Sequence, residues 1–451
     1  MERNHSSGVQ AANPAEIRVR EQAVSAVARG PGVFPVRYRL IGLTFALSML
    51  LYVDRVAIST ARGPITSELG LSDTQFGWAL SAFALGYALF QTPGGFLADR
   101  LGARVALTSV VALWSVFTAL TGLARGYIAL LVCRFLFGAG EAGAYPTCAR
   151  AFYNWLPVSE RGLAQGINFS GARLGAAFAL PAIAWLVTAV GWRVAFYVLG
   201  GIGLVYAAAW WWWFRDLPEE HPSISDEERA LIVERRVPVS TEASAARLGI
   251  PAIARSGNVW IAMTQYFASN FTFFFCLTWL FPYLQRTYHL EATQAGLLAS
   301  APLIGGAIGN WVGGSAVDAL YRRGRWTTSR RLPAVIGFVL AAAGLVGSLA
   351  ADGMYAKVLL LSVAVFGADM TLPPSWAFCI DIGRSNAGVV SGTMNMAGNL
   401  GSFVTSLAFP YLLIWTGSPS PFFIVGATLD AGAAILWMRA RPDRPIAAVG
   451  A

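Results

Sequence analysis

Of its 451 residues 56% are apolar and only 13% charged, about half the charge expected of a soluble protein. The net charge of +9 sits in short basic clusters between long apolar stretches, which excludes a nucleic-acid-binding domain and suits loops that anchor helices in a lipid bilayer. Four cysteines lie far apart without metal-ligand spacing, and the three histidines, His5, His221 and His289, fall in a tail or in loops; no metal, cofactor or disulfide framework is expected, and a proton inside the membrane must ride on a carboxylate.

Residues 1–36 are polar and hold no apolar run of signal-peptide length, so a disordered cytoplasmic tail is expected. Apolar segments follow at 38–61, 74–98, 104–124, 126–152, 162–190 and 192–214. After a polar break over 215–257 come 258–286, 292–320, 332–351, 355–381, 386–416 and 420–438. Each approaches the ~20 residues that ~30 Å of hydrocarbon requires. The expected fold is an all-α polytopic membrane protein. Its twelve transmembrane helices form two six-helix bundles, 37–214 and 258–440, with a C-terminal tail over 441–451. Within the linker, Ser225 and Glu228 have capping-box spacing and open a short surface helix, DEERALIVERR. Arginine-rich ends, such as Arg37/Arg39, Arg100/Arg104 and Arg322/Arg323/Arg325, alternate with poorer ones, which puts both termini and the linker in the cytoplasm. The tryptophans at 210–213 suit an interfacial belt.

The halves echo each other. Gly95 precedes Asp99 by four residues as Gly314 precedes Asp318, and Gly162-x3-Gly166 is matched by Gly388-x3-Gly392, in both cases about half a chain away. Small residues at that spacing let helices approach closely, and the agreement favours an internal duplication.

Residues 95–104 read GFLADRLGAR. The glycines permit a tight turn, and Asp99 can accept from helix N-termini or pair with arginines. The stretch resembles the loop signature of the major facilitator superfamily, which makes Gly95, Asp99, Arg100, Gly102 and Arg104 the expected gating loop. Four further stretches narrow the match: Tyr52-Val-Asp54-Arg55, SAFALGYALFQTPGG at 81–95, Arg134-x6-Glu141 within CRFLFGAGEAGAYP, and residues 376–401 with SGTMNMAGNLG. There the chain resembles the anion:cation symporters, which include sugar-acid, hexuronate, tartrate and phthalate permeases and vesicular glutamate carriers. The resemblance implies a transporter rather than an enzyme, a small organic anion and protons as partners, and residence in a bacterial inner membrane. Proton-driven uptake by alternating access is the expectation, with an aromatic-acid (phthalate-like) or tartrate permease, or a proton-independent anion exchanger, as alternatives. A monomer is expected.

A charge at mid-membrane costs ~2.5–3.5 kcal/mol even on the lenient insertion scale, so such residues pair or line a wet cavity. Asp54 and Arg55 are neighbours and point about 100° apart, so they serve different partners. By resemblance, Arg55 binds the substrate carboxylate and Asp54 is a protonatable site. Arg134 and Glu141 are seven apart on one helix face, about 10.5 Å along the axis. Arg134 is expected to lean on Glu141 until an anion competes for it and frees Glu141 to take a proton. Arg173 either holds a second carboxylate or anchors a helix. Asp369 lies mid-helix, suited to a substrate hydroxyl or a proton; Asp381 is expected near Arg384, and Asp430 suggests no mechanism. Tyr52, Tyr87, Asn270, Trp376 beside Pro373-Pro374, and the i, i+4 pair Asn395 and Asn399 complete the expected pocket.

Overall fold

The computed structural model describes residues 35–235 and 248–446, and all the regular structure among them is helical. Most of the expected N-terminal tail, part of the linker and the last five residues lie outside the described residues. In the first half, α1 (Val36–Thr60), α2 (Arg62–Leu69), α3 (Asp73–Leu123), α4 (Tyr127–Glu141), α5 (Ala144–Trp155) and α6 (Arg161–Trp213) follow one another. The linker carries α7 (Asp226–Arg235) and α8 (Ile250–Arg255). In the second half come α9 (Gly257–Thr278), α10 (Leu280–Tyr288), α11 (Ala292–Arg322), α12 (Trp326–Ala350), α13 (Met354–Met370), α14 (Leu372–Gly383), α15 (Ala387–Thr416) and α16 (Ser420–Trp437).

Two helices, of 51 and 53 residues, are too long for one crossing. Each doubles back at a glycine with positive φ, Gly102 in α3 and Gly191 in α6. Tyr87 and Trp114 would be about 40 Å apart on a straight helix, yet they contact the neighbouring residues Arg55 and Asp54. Gly171 abuts the Phe45 carbonyl and the Tyr206 hydroxyl bonds that of Leu43, so the two limbs of α6 flank one stretch of α1. Between α14 and α15 the chain turns at Arg384–Asn386, and Trp376 and Gly398, one on each limb, both meet Tyr266. Divided at these reversals, the described residues hold twelve apolar helical runs.

Three of the twelve are broken mid-course: α4/α5 at Ala142, α9/α10 at Trp279, where the axes bend by 50°, and α13/α14 at Thr371. Pro146, Pro282 and Pro373-Pro374 stand two to four residues beyond these breaks. A proline supplies no N–H to the carbonyl four residues earlier and its ring crowds it, so the helix opens there. Proline alone is not sufficient, because Pro93, in the first limb of α3, and Pro302, Pro333 and Pro410 leave the helix around them unbroken.

A shared apolar core joins the halves at one end, where Val36, Phe214, Leu248 and Trp437 belong to one cluster. Towards the other end each half has its own, around Ile58 and Phe196 in the first and Phe275 and Phe422 in the second. Polar ties reinforce the joined end. Asp99 accepts from the Gly388 and Val389 N–H groups at the start of α15, at 2.9 and 2.7 Å, and Arg150 stands 3.9 Å away. Asp318 accepts from Gly162 and Leu163 at the start of α6, both at 2.8 Å. A helix N-terminus offers unpaired donors and a positive dipole end, so each aspartate of one half caps a helix of the other. The glycines of the sequence repeat make this possible: Gly95 lies against the Gly388 backbone and Gly314 against that of Gly162, with no room for a Cβ.

The linker adds to that end. Glu228 N–H bonds the Ser225 hydroxyl at 3.1 Å, as the capping box requires, but the Glu228 carboxylate accepts from the Val36 and Arg37 N–H groups at the start of α1.

Candidate functional site

Between the halves, the cavity at mid-height is lined by Tyr52, Arg55, Tyr87 and Arg173 from the first half and by Tyr266, Asn270, Asp369, Asn395 and Asn399 from the second. Its free volume is about 30 Å³, room for one or two waters.

Arg55 reaches the cavity across the rings of Tyr52 and Tyr87, 5.0 and 4.3 Å from its Cζ. Its Nε donates to Glu141 Oε1 at 2.6 Å, and Nη2 is paired with the same oxygen. Asp54 points away, as adjacency on a helix requires, and accepts from the Trp114 indole at 3.1 Å while Oδ1 has no partner. The expectation for Arg134 is corrected: Glu141 is held by Arg55. Arg134, buried between the Phe83 and Phe137 rings at 4.9 and 4.7 Å, makes no ion pair within 4 Å among the described residues. Seven residues give a shared face but leave two turns between the groups, whereas α1 brings Arg55 level with Glu141.

Arg173 binds Asp369 through two parallel bonds, Nε to Oδ2 at 2.7 Å and Nη2 to Oδ1 at 2.6 Å. Its guanidinium lies over the Phe273 ring, 3.5 Å from the centroid, and Nη1 is 3.5 Å from the Tyr52 hydroxyl. This pair crosses from one half to the other and accounts for Asp369.

Of the remaining expectations, Trp376 is corrected: it is buried behind the wall, donating to the Tyr266 hydroxyl at 3.0 Å. Asn270 and Asn399 turn their amides back to the carbonyls of Tyr266 and Asn395, at 2.9 and 2.8 Å. Asp381 pairs with Arg161 and Arg330, at 3.0 and 2.8 Å, rather than with Arg384. Asp430 accepts from Thr272 at 2.7 Å. In the loop, Gly102 makes space for the Asp216 carboxylate, Arg104 bonds the Trp211 carbonyl at 2.9 Å, and Arg100 is exposed. Sequence reading missed Tyr145, Phe169, Tyr266 and Phe273 on the wall. Each stood three or four residues from an expected site residue and hence on its face: Tyr145 after Glu141, Phe169 before Arg173, and Tyr266 and Phe273 on either side of Asn270. Among the described residues no cluster of three or more metal-ligating side chains occurs.

A membrane-embedded helical carrier with a charged pocket between two pseudo-symmetric halves is the class this architecture defines. The sequence profile of the Major Facilitator Superfamily matches residues 44–406, and the chain belongs to that family: it is a transporter, not an enzyme. It is 37% identical over 406 residues to a probable sulfoacetate transporter, SauU, of Cupriavidus necator, a match covering 88% of this chain and 92% of that one. With a probable galactarate/D-glucarate transporter, GarP, of Escherichia coli it shares 33% over 395 residues, covering 84% and 88%. A hexuronate transporter of Bacillus subtilis is 29% identical over 88% of this chain and 92% of its own. Among solved structures, the proton:xylose symporter XylE superposes with a TM-score of 0.71 at 14% identity, covering 90% and 96% of the two chains. The Escherichia coli fucose:proton symporter FucP, in its outward conformation, gives 0.66 at 16%, covering 89% and 98%. At such identities these two speak for the fold alone.

Proposed function

We propose that the chain is a proton-coupled symporter that brings a small organic anion, of the sugar-acid kind, into a bacterial cytoplasm by alternating access. One observation carries the reading: Arg55 lines the cavity with its guanidinium held by a single carboxylate, Glu141. A guanidinium fork matches a carboxylate in bidentate fashion. A substrate acid group can therefore take Glu141's place without leaving a buried cation unpaired. The substrates in the relatives' names, sulfoacetate, galactarate, glucarate and hexuronate, are all organic acids.

Glu141, once released, and Asp54, whose Oδ1 has no donor, are carboxyl groups of the first half that can take a proton without breaking an existing bond; Asp430 Oδ1 is likewise unpartnered but lies outside the cavity lining. The arginine-rich ends lie where the halves are joined, which makes that end cytoplasmic under the positive-inside rule. Both termini and the linker then face the cytoplasm, in the inner membrane, and the state described faces outward.

The test is uptake into proteoliposomes of purified protein, with sulfoacetate, glucarate, galactarate, glucuronate and phthalate as labelled substrates. Accumulation of at least one acid under an inward proton gradient, abolished by a protonophore, is expected. Exchange that ignores the gradient would make the protein an anion exchanger. Indifference to every acid would remove the organic-anion reading.

A further inference from the structure

Arg55 and Glu141 suffice to receive one acid group, and the pairing of Arg173 with Asp369 is left without a part in it. That pair is no ordinary helix–helix staple. Both residues line the same cavity as Arg55, and the two teeth of the bond join α6 of one half to α13 of the other. Gly306 leaves the space that Asp369 Oδ2 fills. The third nitrogen, Nη1, faces the Tyr52 hydroxyl at 3.5 Å, and Arg55 Cζ lies 5.0 Å from the ring of the same tyrosine. Two guanidiniums therefore flank one tyrosine, with Arg55 Cζ and Arg173 Nη1 no more than about 11 Å apart. Each is occupied by a resident carboxylate that an incoming acid can replace, Arg173 by both oxygens of Asp369 and Arg55 by a single oxygen of Glu141.

Resting on the organic-anion reading, we infer that the preferred substrate is a short dianion: one acid group replaces Glu141 on Arg55, the other replaces Asp369 on Arg173, and each displaced carboxylate takes up a proton. A monoanion exchanges with Glu141 alone and leaves the tie between the halves in place. The second acid group removes that tie, so recognition of the far end of the substrate is also what releases the centre of the molecule. Arg173 is the specificity-determining residue, and Asp369 keeps the cation paired until a second acid arrives. An arginine suits the task better than a lysine, because carboxylates and sulfonates present oxygens that a planar fork engages two at a time.

Matched pairs of acids test this by titration calorimetry on the purified full-length protein: glucarate against gluconate, and sulfoacetate against 2-hydroxyethanesulfonate, each pair differing by one acid group. In the pair that the wild type binds, the dianion is expected to bind at least about tenfold more tightly. The double variant Arg173→Gln/Asp369→Asn removes both charges and leaves neither buried alone. Its preference for the dianion should fall to within about threefold, whatever the change in absolute affinity. Asp369→Asn alone frees Arg173 of its occupant and should bind the dianion more tightly than the wild type; a mere helix anchor would instead lose affinity for both acids. Equal wild-type affinities, or a dianion preference that survives in the double variant, overturn the inference and leave the anion reading standing. Binding of none of the four acids, nor of any in the uptake panel, overturns the anion reading itself.

Discussion

Arg55 and Glu141 form one unit, and replacing either member asks a different question. Arg55→Lys keeps the charge but loses the fork, so uptake is expected to fall at least about tenfold while the protein still inserts. Initial rates normalised to membrane-inserted protein check this. Near-normal apparent affinity would move carboxylate recognition to Arg134 or Arg173. Glu141→Gln keeps an oxygen for Arg55 but cannot cycle a proton. It should still exchange labelled anion across vesicles and fail to accumulate it against a gradient; full pH-driven accumulation would transfer the coupling role to Asp54. At this scale the sequence was legible where the reason was local. Asp54 and Arg55 diverge because neighbours on a helix must, and the structure sends one to Trp114 and the other to the cavity. Arg134 was assigned the wrong partner because heptad spacing reports a shared face, not a shared height. Arg173 and Asp369 stand 196 residues apart, and nothing local in a single sequence links them.

At the scale of elements, spans are readable from apolar length, and the duplicated glycine patterns were readable as a repeat. What each glycine meets was not, since its partner lies in the other half. Nor were the breaks at Ala142 and Trp279 foreseen, although Pro146 and Pro282 stand where a carbonyl four residues earlier loses its donor. Gly95→Val tests the close approach. Any side chain there meets the backbone of Gly388 and Val389, and backbone cannot give way as a flexible side chain can. The start of α15 should be pushed off Asp99, and the joined end should open. Spin labels at the exposed positions Arg100 and Arg325, one in each half near that end, would report a longer distance, in a background in which the four cysteines have been replaced. An unchanged distance distribution would mean that these helices are not held by this contact.

For the molecule as a whole, the two aspartate caps bear on one equilibrium. Asp99 of the first half caps α15, and Asp318 of the second caps α6, so a rocking of the halves that opens the joined end breaks both together. Each cap supplies two charge-assisted bonds to N–H groups. Since water and the asparagine amide recover part of the loss, Asp99→Asn or Asp318→Asn should shift the balance by about 1–2 kcal/mol. That is roughly a tenfold loss in the population of the described state relative to the state open at this end. Because both caps act on the same rigid-body change at separate places, their effects should add, giving about a hundredfold shift in the double variant. If the described state is the one that receives substrate from outside, the apparent affinity for external anion falls by the fraction of protein that leaves it. The expected order is therefore wild type, then either single variant, then the double variant, with intrinsic discrimination between acids unchanged, since neither aspartate touches the cavity. Dose–response curves for uptake in right-side-out vesicles, measured together with the Arg100–Arg325 label distance, separate this from simple unfolding. A double variant no weaker than either single one would show that the caps do not share one transition, and that the halves do not move as rigid bodies about the pocket.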